Sequence, residues 1–209
     1  MLGIELSSAE YLARLTEELA RVDRAALERW SDHLFTAWEN GRQVFILGNG
    51  GSGSTASHMS EDLAKSTVPD PLLKDDRYRR LRVQSLTDNT AWILAIANDI
   101  GFEDIFVQQL RNLGQRGDLV VAISGSGNSP NVLRAVEWAR AEGLTTFSLT
   151  GYQGGKLRTL AEDGLHIDLA DMGMVESIHL CLFHWVLNDL HARMNRVGRH
   201  AARAAAEEN

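Results

Sequence analysis

The sequence is poor in residues that staple, kink or anchor a chain. Of its 209 residues one is cysteine, Cys181, so no intrachain disulfide can form. Cys181 lies in the apolar run Leu180-Cys181-Leu182-Phe183 and reads as a small buried hydrophobe rather than a reactive thiol. Three prolines occur, Pro69, Pro71 and Pro130, and two of them share one stretch, so the rest of the chain is free to form regular elements. No uninterrupted apolar run approaches the roughly 20 residues of a membrane-spanning helix. The opening MLGIELSSAEYL has neither the basic start nor the long apolar core of a secretory leader. A cytoplasmic protein without a membrane partner is expected. Lys and Arg (21) are outnumbered by Asp and Glu (28) for a net charge of −7, which argues against a nucleic-acid-binding surface. A small anionic ligand stays open, because a local site matters more than the net charge.

What is present is a chain 44% hydrophobic, enough for one domain with a substantial core. Ser7 and Glu10 form a capping-box pattern. Leu12, Leu15, Leu19, Val22, Ala26, Leu27, Trp30, Leu34 and Trp38 follow at helical steps. Residues 8–40 are expected as one long helix or two abutting helices, long enough to find a second subunit as partner surface. Short β-rich runs predict strands over 43–47, 81–86, 119–123, 145–150 and 165–169. Helices are expected over 55–65, 87–97, 103–114, 130–142, 156–161 and 175–197, a loop over 66–80, and a frayed tail over 198–209. Buried strands alternating with helices imply an α/β fold, a mostly parallel sheet between two helical layers. No separate second domain is expected within 1–209.

Two small-residue loops follow predicted strands, where ligands bind in such sheets. Gly48-Asn49-Gly50-Gly51-Ser52-Gly53-Ser54 offers close backbone approach and helix N-terminal N–H groups to an anion. It lacks the Lys–Ser/Thr ending of a Walker loop and the spacing of a dinucleotide fingerprint. Ser124-Gly125-Ser126-Gly127-Asn128-Ser129 brings three hydroxyls to the start of another helix, more than one N-cap needs. It contains no Lys or Arg, so it suits a phosphate held by neutral donors and then released.

His58 and Asp62 lie four apart on a predicted helix and share a face. Glu176, His179 and His184 interrupt an otherwise apolar late helix, where buried polar groups need partners. Two helices each carrying an acid and a histidine suit a divalent metal such as zinc. Spacing alone does not choose between His179 and His184.

GNGGS after the first strand, ISGSGNSPNV after a later one, AIANDIGFEDIF and LTGYQGGKL together resemble the phosphoheptose isomerases of the sugar isomerase (SIS) family over about residues 8–195. The resemblance implies the SIS fold, a three-layer sandwich, and aldose–ketose isomerisation of sedoheptulose 7-phosphate through an enediol. It implies a zinc or other divalent ion on His58, Asp62, Glu176 and His184, with Asp62 or Glu61 as base and His184 as acid. Asn49, Gly50, Gly51, Ser52, Asn98, Asp99, Ser124, Gly125, Ser126, Ser129 and Glu176 would contact the substrate. A homotetramer, or a dimer, is the implied assembly. Asp62 stands where the family has Glu, Glu176 where it has Gln, and Gly125 where it has Thr; the 66–80 loop is longer than the family pattern. A non-catalytic sugar-phosphate-binding or protein-binding module and an isomerase of another sugar phosphate are the alternatives.

Overall fold

A computed structural model of the chain describes residues 2–201. Ser7 opens helix α1 (Ser8–Ala20) with the expected capping box. A short turn leads to Asp23, whose carboxylate accepts from Ala25 N and Ala26 N and starts α2 (Arg24–Glu39). The N-terminal segment is therefore two helices, broken where Asp23 caps the second. α1, α2 and the turn between them lay Tyr11, Leu15, Leu19, Val22 and Trp30 against the core of their own chain, while Leu12 stays exposed.

The chain then alternates: β1 (Gln43–Gly48), α3 (Gly50–Lys65), β2 (Arg82–Ser85), α4 (Thr90–Asp99), α5 (Val107–Leu113), β3 (Leu119–Ser124), α6 (Pro130–Ala141), β4 (Thr145–Thr150), α7 (Leu157–Leu160), β5 (Asp163–His166) and α8 (Met172–Asn195). Among the described residues the five strands pair in parallel throughout, in the order β2-β1-β3-β4-β5. One face of the sheet buries Val44, Ile46, Val121, Ile123, Phe147 and Leu149 under α2, α3 and α8. The other buries Phe45, Leu47, Val120 and Ala122 under α5, α6 and α7. Because successive strand residues point to opposite faces, these runs are apolar throughout and close a three-layer α/β sandwich.

Three expectations shift. The strand expected at 165–169 is centred earlier, because Asp163 and Gly164 pair with Phe147 and Ser148 of β4. The 103–114 helix divides into a 3₁₀ turn (Phe102–Asp104) and α5. The tail expected to fray from 198 begins as a 3₁₀ turn over Gly198–His200. There Arg199 and His200 both reach the buried Asp189 carboxylate, His200 Nε2 at 2.8 Å. The remainder of that expected tail, 202–209, lies outside the described residues. Among the described residues no helix is long and apolar enough to cross a membrane.

Cys181 is exposed, not buried as its apolar neighbours suggested. On α8 the residues facing the core are Ile178, His179, Leu182, Phe183 and Val186. Position 181 falls between them on the outer face, one turn before His184.

Candidate functional site

The strand order reverses direction between β1 and β3, which lie side by side yet send their chains to opposite sides. Such a switch point leaves a crevice at the strands' carboxyl ends, and both small-residue loops emerge into it. Between them is a cavity of about 300 Å³. Gly50, Gly51 and Ser52 form one wall and Ser124, Gly125, Ser126 and Ser129 another, while Met172 and Glu176 reach in from α8.

The first loop is shorter than its sequence suggested, because α3 begins at Gly50, with Asn49 as N-cap. The Asn49 side chain makes no capping bond. It instead exchanges two amide hydrogen bonds of 2.9 Å with Asn131, the second residue of α6. Ser129, the N-cap of α6, likewise makes no side-chain cap bond; its hydroxyl lies 3.3 Å from that of Ser124. Two helices thus open onto one cavity with backbone N–H groups that their own cap side chains leave unsatisfied, an arrangement suited to an anion. The serine loop is shaped by Gly127, at φ +65°, whose missing side chain admits the Gly154 carbonyl. Gly127 N donates to Ser124 Oγ at 3.2 Å, and Asn128 Oδ1 accepts from Lys156 N at 3.1 Å.

The opening turns of α8 are seated on glycines. A Cβ on Gly51 would collide with the Glu176 carboxylate, one on Gly125 with the Met172 thioether, and one on Gly151 would lie 2.6 Å from Val175 Cγ1. Gly125 therefore does more than omit a hydroxyl. It makes room for Met172, a residue sequence reasoning passed over. Asn131 was missed too; its place directly after Pro130 in the serine loop was the available signal.

About 10 Å further along α3, at 1.5 Å per residue, His58, Asp62 and His184 converge. One ligand atom from each lies within 4.8 Å of the others. His58 Nε2 is 3.1 Å and His184 Nε2 3.9 Å from Asp62 Oδ2, and the two imidazoles meet edge-on at 5.4 Å. Two imidazoles and a carboxylate are a donor set that borderline divalent metals accept. His179 is excluded from this group. It is 1% exposed, its Nε2 lies 3.3 Å from the Thr150 carbonyl, and burial pushes its pKa down to about 4.

Glu176 and Glu61 are not brought to the cluster. Glu176 is eight residues from His184 on the same helix, about 12 Å of rise, and its carboxylate rests on Gly51. Glu61, a hundred degrees round α3 from Asp62, pairs with Lys65 at 3.6 Å in solvent. Asn98 and Asp99 end α4 exposed, bonded to each other at 2.7 Å and outside the cavity lining. The 66–80 segment contributes nothing to that lining; Tyr78 ties it to Asn195 at 2.5 Å, at the far end of α8. A hollow of about 340 Å³ on the other side of the first loop is lined by Gly48, Asn49, Gly50, Gly53 and Ser54 but by none of the serine loop. Two more, about 350 Å³ beside β5 and about 380 Å³ around Asp189, lack ligand loops. The carboxylates of these two, Asp163 and Asp189, are already held by Arg29 and His33, and by Arg193 and Arg199.

The family model described as SIS domain matches residues 9–151. A phosphoheptose isomerase from Bradyrhizobium sp. (strain BTAi1) is 33% identical over 195 residues, 89% of this chain and 93% of that one. The chain belongs to the phosphoheptose isomerase branch of the SIS domain family. Two solved structures agree with this SIS assignment. The phosphoheptose isomerase GmhA of Neisseria gonorrhoeae superposes with TM-score 0.77 at 27% identity, over 86% of this chain and 92% of that one. A phosphoheptose isomerase from Francisella tularensis gives 0.78 at 26%, over 89% and 99%.

Proposed function

We propose that this SIS protein is a cytoplasmic aldose–ketose isomerase of a sugar phosphate, interconverting sedoheptulose 7-phosphate and D-glycero-D-manno-heptose 7-phosphate through an enediol. The observation that carries the reading is the shared scaffold of two sites. α3 and α8 border the neutral-donor cavity at their first turns, and two turns later hold the His58–Asp62–His184 group. A substrate with its phosphate on Ser124, Ser126 and Ser129 would extend its polyol chain along α3 toward Asp62.

Moving a hydrogen between adjacent carbons needs a base for the proton next to the carbonyl and an acid at the oxygens. Asp62 is the carboxylate in reach of both imidazoles and is assigned as base. His184, half exposed on α8, is assigned to deliver and recover the proton at oxygen. His58, 3.1 Å from Asp62, fixes the carboxylate's direction. A zinc or similar divalent ion would be held by His58, Asp62 and His184 and would supply polarisation of the sugar oxygens. Gly50, Gly51, Ser52 and Glu176 face the substrate, whereas the Asn49 amide holds the two loops in register.

Asn98 and Asp99 lie beside Leu94, Ile100 and Phe102, which are 64%, 59% and 59% exposed. Several large apolar side chains exposed within one short stretch of chain are the kind of feature a protein–protein surface shows. It supports self-association, as a homotetramer or dimer, with these residues covered by another copy.

The test is incubation with sedoheptulose 7-phosphate in deuterated water, with zinc and with chelator, followed by NMR. Aldose formation with deuterium next to the carbonyl supports the reading. No turnover and no exchange from folded, metal-loaded protein would overturn it in favour of another sugar phosphate or a binding module.

A further inference from the structure

The cavity that should take an anionic ligand contains one charged residue in its lining, and that residue is an acid. Glu176 stands among glycines, serines, Asn49, Ile123 and Met172, with no Lys or Arg. Gly51 admits it: a Cβ at 51 would occupy the space the carboxylate takes. Met172, four residues earlier on the same helix face, is pressed in the same way onto Gly125 of the serine loop. α8 therefore gives the β3 side of the cavity a thioether beside hydroxyls, and the β1 side a carboxylate.

We infer that Glu176 is a charge filter, making the cavity accept a sugar with one phosphate, seated on the serine loop, and reject one with a second anionic group. The substrate class rests on the isomerase reading above. A single phosphate can take the serine-loop donors and keep its distance from Glu176, leaving hydroxyls to donate to the carboxylate. A second phosphate in so small a space finds no Lys or Arg among the residues that line it. Like charges several ångströms apart in a partly desolvated site repel enough to lower affinity roughly tenfold or more. Glutamine at 176 keeps the shape and the hydrogen-bonding oxygen and removes the charge.

The experiment compares sedoheptulose 7-phosphate with sedoheptulose 1,7-bisphosphate by calorimetry, on zinc-loaded and on chelator-treated protein, with turnover of the monophosphate followed in parallel. On chelator-treated protein, where no ion on His58, Asp62 and His184 draws the second phosphate, wild type is expected to bind the monophosphate about tenfold or more tighter. Glu176→Gln should close most of that gap, while Met172→Ala, which widens the cavity without changing its charge, should leave it. Equal affinity for the two sugars in chelator-treated wild type, or a gap that survives Glu176→Gln and closes in Met172→Ala, overturns the filter; the latter would make discrimination a matter of size. Selective binding without turnover would refute the isomerase reading and leave the filter standing. Binding of neither sugar would refute both.

Discussion

The side-chain amides of Asn49 and Asn131 face each other and exchange two hydrogen bonds of 2.9 Å, joining the end of β1 to the start of α6. Asn131 is 2% exposed, and its Oδ1 also accepts from Val132 N at 3.0 Å. The pair fixes how far apart the two ligand loops stand. Asn131→Asp keeps the volume but removes the donor and sets a carboxylate oxygen against Asn49 Oδ1. A buried acceptor left in that state costs about 1–3 kcal/mol. A urea melt should show that loss, and sugar-phosphate affinity should fall with it. Unchanged stability would mean the amide pair does not hold the two loops together.

Gly125 and Gly127 are two residues apart, and their substitution should have opposite consequences. A Cβ on Gly125 meets the far end of a flexible Met side chain, which can rotate away. Gly125→Ala should therefore fold at near wild-type stability with altered ligand affinity. Gly127 has φ +65° and backs onto the Gly154 carbonyl, which cannot retreat without moving the 151–155 turn. Gly127→Ala combines left-handed strain, on the order of 1–2 kcal/mol, with a backbone collision, and should cost more than the strain alone. Thermal melts of the two variants decide it.

Much of this was legible in the chain. The strands 43–47 and 119–123 were visible as β-rich apolar runs because a parallel sheet buries both their faces. The loops were visible because no other structure needs so many glycines and serines directly after a strand. Side-chain direction was not. Cys181 and His184 sit in the same apolar run as Phe183, and periodicity on a helix buried along most of its length does not say which of them faces out. Glu176 and His184 look like partners in sequence, yet eight residues of helix separate them, and the carboxylate lies in space left open by Gly51, 125 residues away. Contacts of that kind come from topology, which brings β1 beside β3 and lays α8 across both.

The metal assignment separates the two late histidines. His184→Ala removes one of three donors and should weaken binding of a cobalt(II) probe by at least the roughly 10–100-fold that loss of an outer partner costs at such sites, and the cobalt absorption should change with it. His179→Leu should leave both affinity and spectrum as in wild type. If His179→Leu alone disturbed the spectrum, the cluster would be wrongly composed.

His179 should instead show itself in the pH dependence of stability. In the folded chain burial holds its pKa near 4, against an ordinary 6.5, and the Thr150 carbonyl only partly offsets this. The unfolded chain takes up the proton as pH falls through 6.5, whereas the folded chain refuses it until about 4. Between those values the unfolded state binds more protons, so stability rises with pH. The contribution is complete above about pH 6.5 and lost by about pH 4, and the span corresponds to on the order of 3 kcal/mol. Asp189 and Asp163, whose carboxyls are held below their ordinary range by hydrogen bonds and neighbouring cations that outweigh burial, lose their contributions at lower pH, around and below the unfolded carboxyl range. His166, also lowered by burial and by Arg158, adds a smaller slope in the same direction. Urea melts of wild type and His179→Leu at steps from pH 4 to 7 isolate the one group. The variant should be flatter across that window, by roughly one proton's worth of slope at its steepest. Parallel curves would mean that the folded chain protonates His179 as readily as the unfolded one, and that α8 does not seal it from water.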